Sequence, residues 1–140
     1  MKLNELIENQ KLVTADPNDT IASVALAMQK HNVGSVVVVE DQRPVGIVTD
    51  RDLALAMGAR GNSPQSPVQG IMAKTVRVIG GDTEMLTAVT YMKHYEVRRL
   101  PIVDRDGCVV GIVSMDDLLR LLSRELYRLG ETITSEMVVK

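Results

Sequence analysis

The chain states one pattern twice. Asp19-Thr20 returns as Asp82-Thr83. Gly46-Ile47-Val48-Thr49-Asp50-Arg51-Asp52 returns as Gly111-Ile112-Val113-Ser114-Met115-Asp116-Asp117, and the offsets are 63 and 65 residues (82 − 19 and 111 − 46). A repeat of this length is one supersecondary unit whose apolar face needs its neighbour, so two such units closing on each other constrain the fold more than any local propensity does. The 140 residues, 45% of them hydrophobic, suffice for one compact domain of two small copies and not for two large domains.

Each copy reads as β-α-β-β-α, which makes the fold class mixed α/β, two tandem repeats related by a pseudo-two-fold axis. Short strands at Val13-Thr14 and Val76-Arg77-Val78 lead into turns at Asp16-Pro17-Asn18-Asp19 and Gly80-Gly81-Asp82. Ile21, Val24 and Met28, and in the second copy Met85, Val89 and Met92, then recur at helical spacing, with Thr20 and Thr83 as the expected caps. Hairpins follow. Their buried strands are Ser35 to Val39 and Leu100 to Val103, and the turns at 41–44 and 104–107 return the chain along Val45 to Val48 and Val109 to Val113. A second helix opens at Thr49 or Ser114 and is expected to end near Met57 or Leu126. The copies span residues 1–58 and 68–127, a Gly-, Pro- and Ser-rich linker covers 59–67, and a weakly patterned tail covers 128–140. Short segments at 1–7 and 68–72 match each other ahead of the two units.

The doubled Gly-hydrophobic-hydrophobic-Thr/Ser-x-x-Asp segment, the Asp-Thr helix entry and Val97-Arg98-Arg99-Leu100-Pro101-Ile102-Val103 together resemble a tandem pair of cystathionine-β-synthase (CBS) domains, or Bateman module, over roughly residues 5–125. The resemblance implies a regulatory module that binds AMP, ADP, ATP or S-adenosylmethionine in clefts between the copies, commonly as a homodimer, and carries out no catalysis. An effector protein in trans is then the expected partner, and adenylate sensing the expected role. Magnesium would arrive only with ATP.

The residues themselves support a nucleotide. In Thr49-x-x-Asp52 and Ser114-x-x-Asp117, a hydroxyl and a carboxylate one turn apart share the partially positive start of a helix. A carboxylate can accept from both vicinal hydroxyls of a ribose. The same spacing also makes a capping box that needs no ligand. Arg98 and Arg99 stand just before a buried strand, where two guanidinium groups suit a phosphate. Their counterparts in the first copy are Gly34 and Ser35, so the two clefts should differ. Arg51 is a further phosphate candidate, Lys93 and His94 weaker ones. With three Tyr and neither Phe nor Trp, an adenine would need an aliphatic slot, and the candidates are Val13, Thr14, Ala15, Val33 and Gly34 in the first copy and Val76, Val78 and Val97 in the second.

Other chemistries lack their residues. No Gly-x-x-x-x-Gly-Lys-Ser/Thr loop, Gly-x-Ser-x-Gly elbow or His-Glu-x-x-His helix occurs, and the single Cys108 has no metal-ligand companions. The acids Asp50, Asp52, Asp116 and Asp117 could attract a divalent ion, although no metal site is expected. A net charge of −2 with interspersed signs favours neither nucleic acid nor a membrane surface, and a cytoplasmic location is expected. Two other readings stay open: a ligand-free structural or stress module in which both motifs only cap helices, and a nucleotide hydrolase.

Overall fold

A computed structural model describes residues 1–74 and 76–139, with side chains described as far as Ser135. The elements run α1 (Leu3–Leu6), β1 (Thr14–Ala15), α2 (Ile21–His31), β2 (Ser35–Glu40), β3 (Arg43–Thr49), α3 (Asp50–Gly58), a 3-10 turn (Val68–Gly70), β4 (Ile79–Gly80), α4 (Met85–Tyr95), β5 (Arg99–Val103), β6 (Val109–Ser114) and α5 (Met115–Val139). The expected mixed α/β fold with a β-α-β-β-α order in each copy is present. Each copy forms its own three-stranded sheet, β1-β2-β3 or β4-β5-β6, with the first strand parallel and the hairpin antiparallel.

Several boundaries differ from the sequence expectation. The first strand of the second copy is Ile79–Gly80, which pairs with Ile102 and Val103, whereas Val76 to Val78 has no ladder partner. The offset from Thr14–Ala15 is 65 residues (79 − 14), the same as for the hairpin, so the strand takes the register of the sheet it joins. Thr20 caps α2 by accepting the Ser23 N–H at 3.0 Å. Thr83 does not cap α4, because one extra residue puts Glu84 at the N-cap with no side-chain cap bond. Glu84 instead pairs with the Met1 amine at 3.3 Å. The first hairpin turn is tighter than 41–44: Asp41 and Gln42 take left-handed φ of 49° and 66°, and β3 restarts at Arg43. Pro44 sits at a register shift opposite Val39, where the missing N–H is tolerated. Finally, α5 passes Leu126 and runs through Gly130 to Val139, so the segment after residue 127 continues the helix.

The two cores exchange segments. Leu3, fully buried, packs with Ile79, Met92, Leu100, Ile102 and Leu118 of the second copy, while the equally buried Val68 packs with Ile21, Val24, Val36, Val48 and Leu53 of the first. Backbone bonds fix the exchange: Leu3 N–H donates to Thr83 C=O at 3.0 Å, and Val68 N–H donates to Asp19 C=O at 2.8 Å. The glycine that opens each repeated motif makes room for the crossing chain. A Cβ on Gly46 would lie 2.8 Å from Met72 Cγ and 3.2 Å from the Ala73 carbonyl, and one on Gly111 would lie 2.6 Å from Ile7 Cδ1. Neither glycine needs an unusual φ; close approach is the requirement.

Candidate functional site

Both repeated motifs close as capping boxes. Thr49 N–H donates to Asp52 Oδ2 at 2.9 Å and Asp52 N–H to Thr49 Oγ1 at 3.2 Å; Ser114 N–H donates to Asp117 Oδ2 at 3.1 Å and Asp117 N–H to Ser114 Oγ at 3.1 Å. Each carboxylate therefore spends one oxygen on its own helix. The second oxygen separates the two copies. Asp52 Oδ1 has no protein partner among the described residues, whereas Asp117 Oδ1 accepts from Arg120 at 3.3 Å.

The Asp52 motif opens onto a cleft of about 210 Å³ between the copies, lined by Ile47, Thr49, Asp52, Ala73, Val76, Arg77, Val97, Arg98 and Arg99. The chain thus brings together Thr49 and Asp52 from the end of β3 and start of α3, Val97, Arg98 and Arg99 from the entry to β5, and the connector before β4. The volume is below the ~300 Å³ at which whole drug-sized ligands are enclosed, so a nucleotide would leave part of itself outside, beside the arginines. Arg98 is paired with Asp116 at 3.3 Å, but the two side chains are 73% and 55% exposed, and a pair so solvated is worth at most about 1 kcal/mol. It yields to a better anion.

Arg77 was not predicted as a phosphate residue. It lines the cleft, with its guanidinium carbon 3.7 Å from the ring centroid of Tyr95, and Tyr95 in turn contacts Tyr91 and His94 at 4.6 Å between centroids. Two of the three tyrosines of the chain therefore stand at this corner, which the sequence could have flagged only through the scarcity of aromatic residues. His94 belongs to this aromatic cluster, and Lys93 is exposed.

The Asp117 motif faces a second depression of about 210 Å³, lined by Leu6, Ile7, Ile112, Val113, Asp117, Arg120, Leu121 and Arg124. The pseudo-symmetry is close here. Ala73 bridges Ile47 with two backbone bonds, and the amide side chain of Gln10 makes the same pair of bonds to Ile112, N–H to Oε1 at 2.9 Å and Nε2 to C=O at 3.0 Å. The offsets are again 63 and 65 (73 − 10 and 112 − 47). The matching of Arg98 with Gly34 also holds in the backbone: Met115 N–H donates to Arg98 C=O at 2.8 Å as Asp50 N–H donates to Gly34 C=O at 3.0 Å. The basic pair has no counterpart in the first copy.

The remaining candidates lie elsewhere. Ala15 is buried in the first core, and Val13 and Val33 pack against it, so three residues of the expected adenine slot are occupied in holding the copy together. Thr14 and Gly34 are exposed and Val78 is 36% exposed, and none of the three lines the Asp52 cleft. Arg51 points from the first turn of α3 into solvent, and Ser114 caps α5 without lining the second depression. A wider hollow of about 610 Å³ lies against α1, but its charged lining of Glu8, Asp82, Asp104 and Arg105 is mostly acidic and suits no phosphate. Among the described residues no three His, Cys, Asp or Glu side chains gather as a metal site, and no helix is long and apolar enough to cross a membrane.

Comparison with known proteins agrees with the duplicated architecture. The family model of the CBS domain matches residues 5–59 and 68–124. A protein of Methanopyrus kandleri is 38% identical over 133 residues, 94% of this chain and 66% of its own length. The CBS domain-containing protein YhcV of Bacillus subtilis is 40% identical over 110 residues, 77% of this chain and 76% of that protein. Among solved structures, the CBS domain pair of protein MJ0100 in complex with 5′-methylthioadenosine and S-adenosyl-L-methionine superposes with a TM-score of 0.78 at 26% identity, covering 89% of this chain and 98% of that one. The cytosolic domain of the Mg2+ channel MgtE in complex with ATP gives 0.66 at 27% identity, covering 79% of this chain and 44% of that one.

Proposed function

Because the chain belongs to the CBS-domain family and carries the domain twice, we propose that it is a regulatory module that binds an adenosine-containing ligand between its copies and passes the binding on to a partner protein in trans, acting as a homodimer. The observation that carries this reading is the pairing, in one cleft, of an unclaimed carboxylate oxygen on Asp52 with the guanidinium groups of Arg77, Arg98 and Arg99. Asp52 takes the ribose hydroxyls, Thr49 a nearby sugar or phosphate oxygen, and the arginines the phosphates. Val76, Val97 and Ile47 supply the aliphatic walls for the base. The solved CBS pairs holding S-adenosylmethionine with methylthioadenosine, and ATP, support an adenosine ligand as a class.

The second cleft is the weaker one in this reading. Its carboxylate shares a solvated bond with Arg120, and Gly34 and Ser35 stand where the other cleft has Arg98 and Arg99, so only Arg120 and Arg124 of α5 remain there for a phosphate. Binding in either cleft ties the two copies together, and a partner that prefers the tied arrangement gains affinity by linkage, with no bond made or broken on the nucleotide.

Calorimetric titration with AMP, ADP, ATP, S-adenosylmethionine and GTP tests the proposal. Saturable binding of an adenosine compound, with GTP failing, is the expected result. A folded protein that ignores all of them at millimolar concentration returns both motifs to helix caps, a role their closed boxes already fill, and leaves a structural module.

A further inference from the structure

The connector ahead of the first strand is longer in the second copy. Gln10 and Ala73 take equivalent places against Ile112 and Ile47, and Thr14 and Ile79 begin equivalent strands. Yet three residues lie between Gln10 and Thr14, and five between Ala73 and Ile79. Lys11 matches Lys74, but Leu12 and Val13 offer nothing in place of Arg77, so the extra length brings a cation that the first copy lacks. The guanidinium carbon of Arg77 lies 3.7 Å from the centroid of the Tyr95 ring. That ring also has no equal in the first copy. Helices α2 and α4 both end at a left-handed cap, Asn32 with φ 53° and Glu96 with φ 54°, and the residue before the cap is His31 in one and Tyr95 in the other. Both halves of the stack are therefore particular to one cleft.

The ring is a fixed platform. Tyr91, which packs against the second core, lies 4.6 Å from it between centroids, and His94 meets it edge-on at the same distance. Arg77 lines the Asp52 cleft and Tyr95 does not, so the stack holds the guanidinium to the α4 side of the cleft. Arg98 likewise rests on a weak partner, the exposed Asp116. Three guanidinium groups around one small cleft repel one another until an anion arrives, and these two partners draw two of them aside. A stack on a solvated ring is weaker than a charge-assisted bond to phosphate, so phosphate wins the contest, at a cost. We propose that Tyr95 is a positioning residue for this cleft, parking Arg77 while the cleft is empty and yielding it to the phosphates of the ligand. This rests on the adenosine-ligand reading above and adds how the site tells a phosphate from a bare nucleoside. A ligand shifts an equilibrium only by its preference for one of the two states. Adenosine has no group that favours either place of Arg77 and leaves the stack as it is. ATP moves the cation and bares the ring at the end of α4, three residues before Arg98.

The test is calorimetry with ATP and adenosine on the full chain, with urea unfolding as the control for the fold. Tyr95→Leu removes the π face without changing the charge. It should bind ATP about 2- to 5-fold more tightly, the equivalent of ~0.5–1 kcal/mol, with adenosine unchanged. Tyr95→Phe keeps the face and should match wild type. In an Arg77→Gln background the gain from Tyr95→Leu should vanish, because no cation is left to release. Tyr95→His installs the residue that the first copy carries at this place, and it should shift ATP in the same direction should the leucine variant unfold. Weaker ATP binding in Tyr95→Leu with adenosine unchanged would mean that the ring presents Arg77 to the phosphate, and it overturns the parking. Equal changes for both ligands, or a gain that persists without Arg77, reduce Tyr95 to packing and overturn it as well. ATP binding that no Tyr95 variant alters removes the parking and leaves the adenosine-ligand reading standing, whereas a wild type that binds neither compound removes both.

Discussion

Replacing Asp52 by Asn separates the capping role of this carboxylate from its role toward a ligand. The amide oxygen of Asn can still accept the Thr49 N–H that Asp52 Oδ2 accepts at 2.9 Å, so the box persists. What disappears is the negative charge near the helix start, worth about 0.3–1 kcal/mol of stability. At the position of Oδ1, unclaimed by the protein, the variant presents an NH2 group, which donates where two ribose hydroxyls need an acceptor. Losing one charge-assisted bond of about 1.5–3 kcal/mol weakens binding roughly 10- to 150-fold. Asp117→Asn should cost much less, because the basic pair Arg98-Arg99 that holds the phosphates lies in the Asp52 cleft. The assay is AMP and ATP calorimetry on wild type and both variants, with urea unfolding as the control for stability. If Asp52→Asn holds AMP within threefold of wild type while Asp117→Asn loses it, the free-oxygen argument is wrong and the Asp52 motif is a cap alone.

Four other substitutions probe the same architecture. Gly46→Ala should destabilise by about 1–3 kcal/mol in urea unfolding, because its Cβ meets Met72 and the Ala73 carbonyl, while Gly58→Ala, with nothing within 4 Å, should be neutral or stabilising by up to about 1 kcal/mol. Leu3→Ala should cost about 2–5 kcal/mol and speed amide exchange in residues 99–118 before residues 35–49, the pattern expected only if the N-terminal segment belongs to the second core. Arg77→Gln should weaken ATP more than AMP and leave adenosine unchanged, and in wild type the tyrosine fluorescence should change on ATP binding as the guanidinium leaves Tyr95; an equal loss for all three ligands would make Arg77 a packing residue.

Aligning the two copies gave the repeat and the asymmetry of Arg98-Arg99 against Gly34-Ser35, and the patterning within each copy gave the element order and the caps at Thr20, Thr49 and Ser114, because those depend on residues a few positions apart. The stripe of Ile21, Val24 and Met28 likewise shows its buried face in the periodicity alone. Element ends were less legible. One residue between Thr83 and Met85 moved a cap, and the ladder register decided that Ile79, and not Val76, begins β4.

What only the folded chain decided lies between segments distant in sequence. That Leu3 completes the second core and Val68 the first, and that Gln10 imitates the backbone of Ala73, are contacts across separations the sequence pattern does not encode. Local order follows from the backbone geometry of each stretch, whereas the choice of neighbour follows from which apolar faces remain uncovered once both sheets have formed.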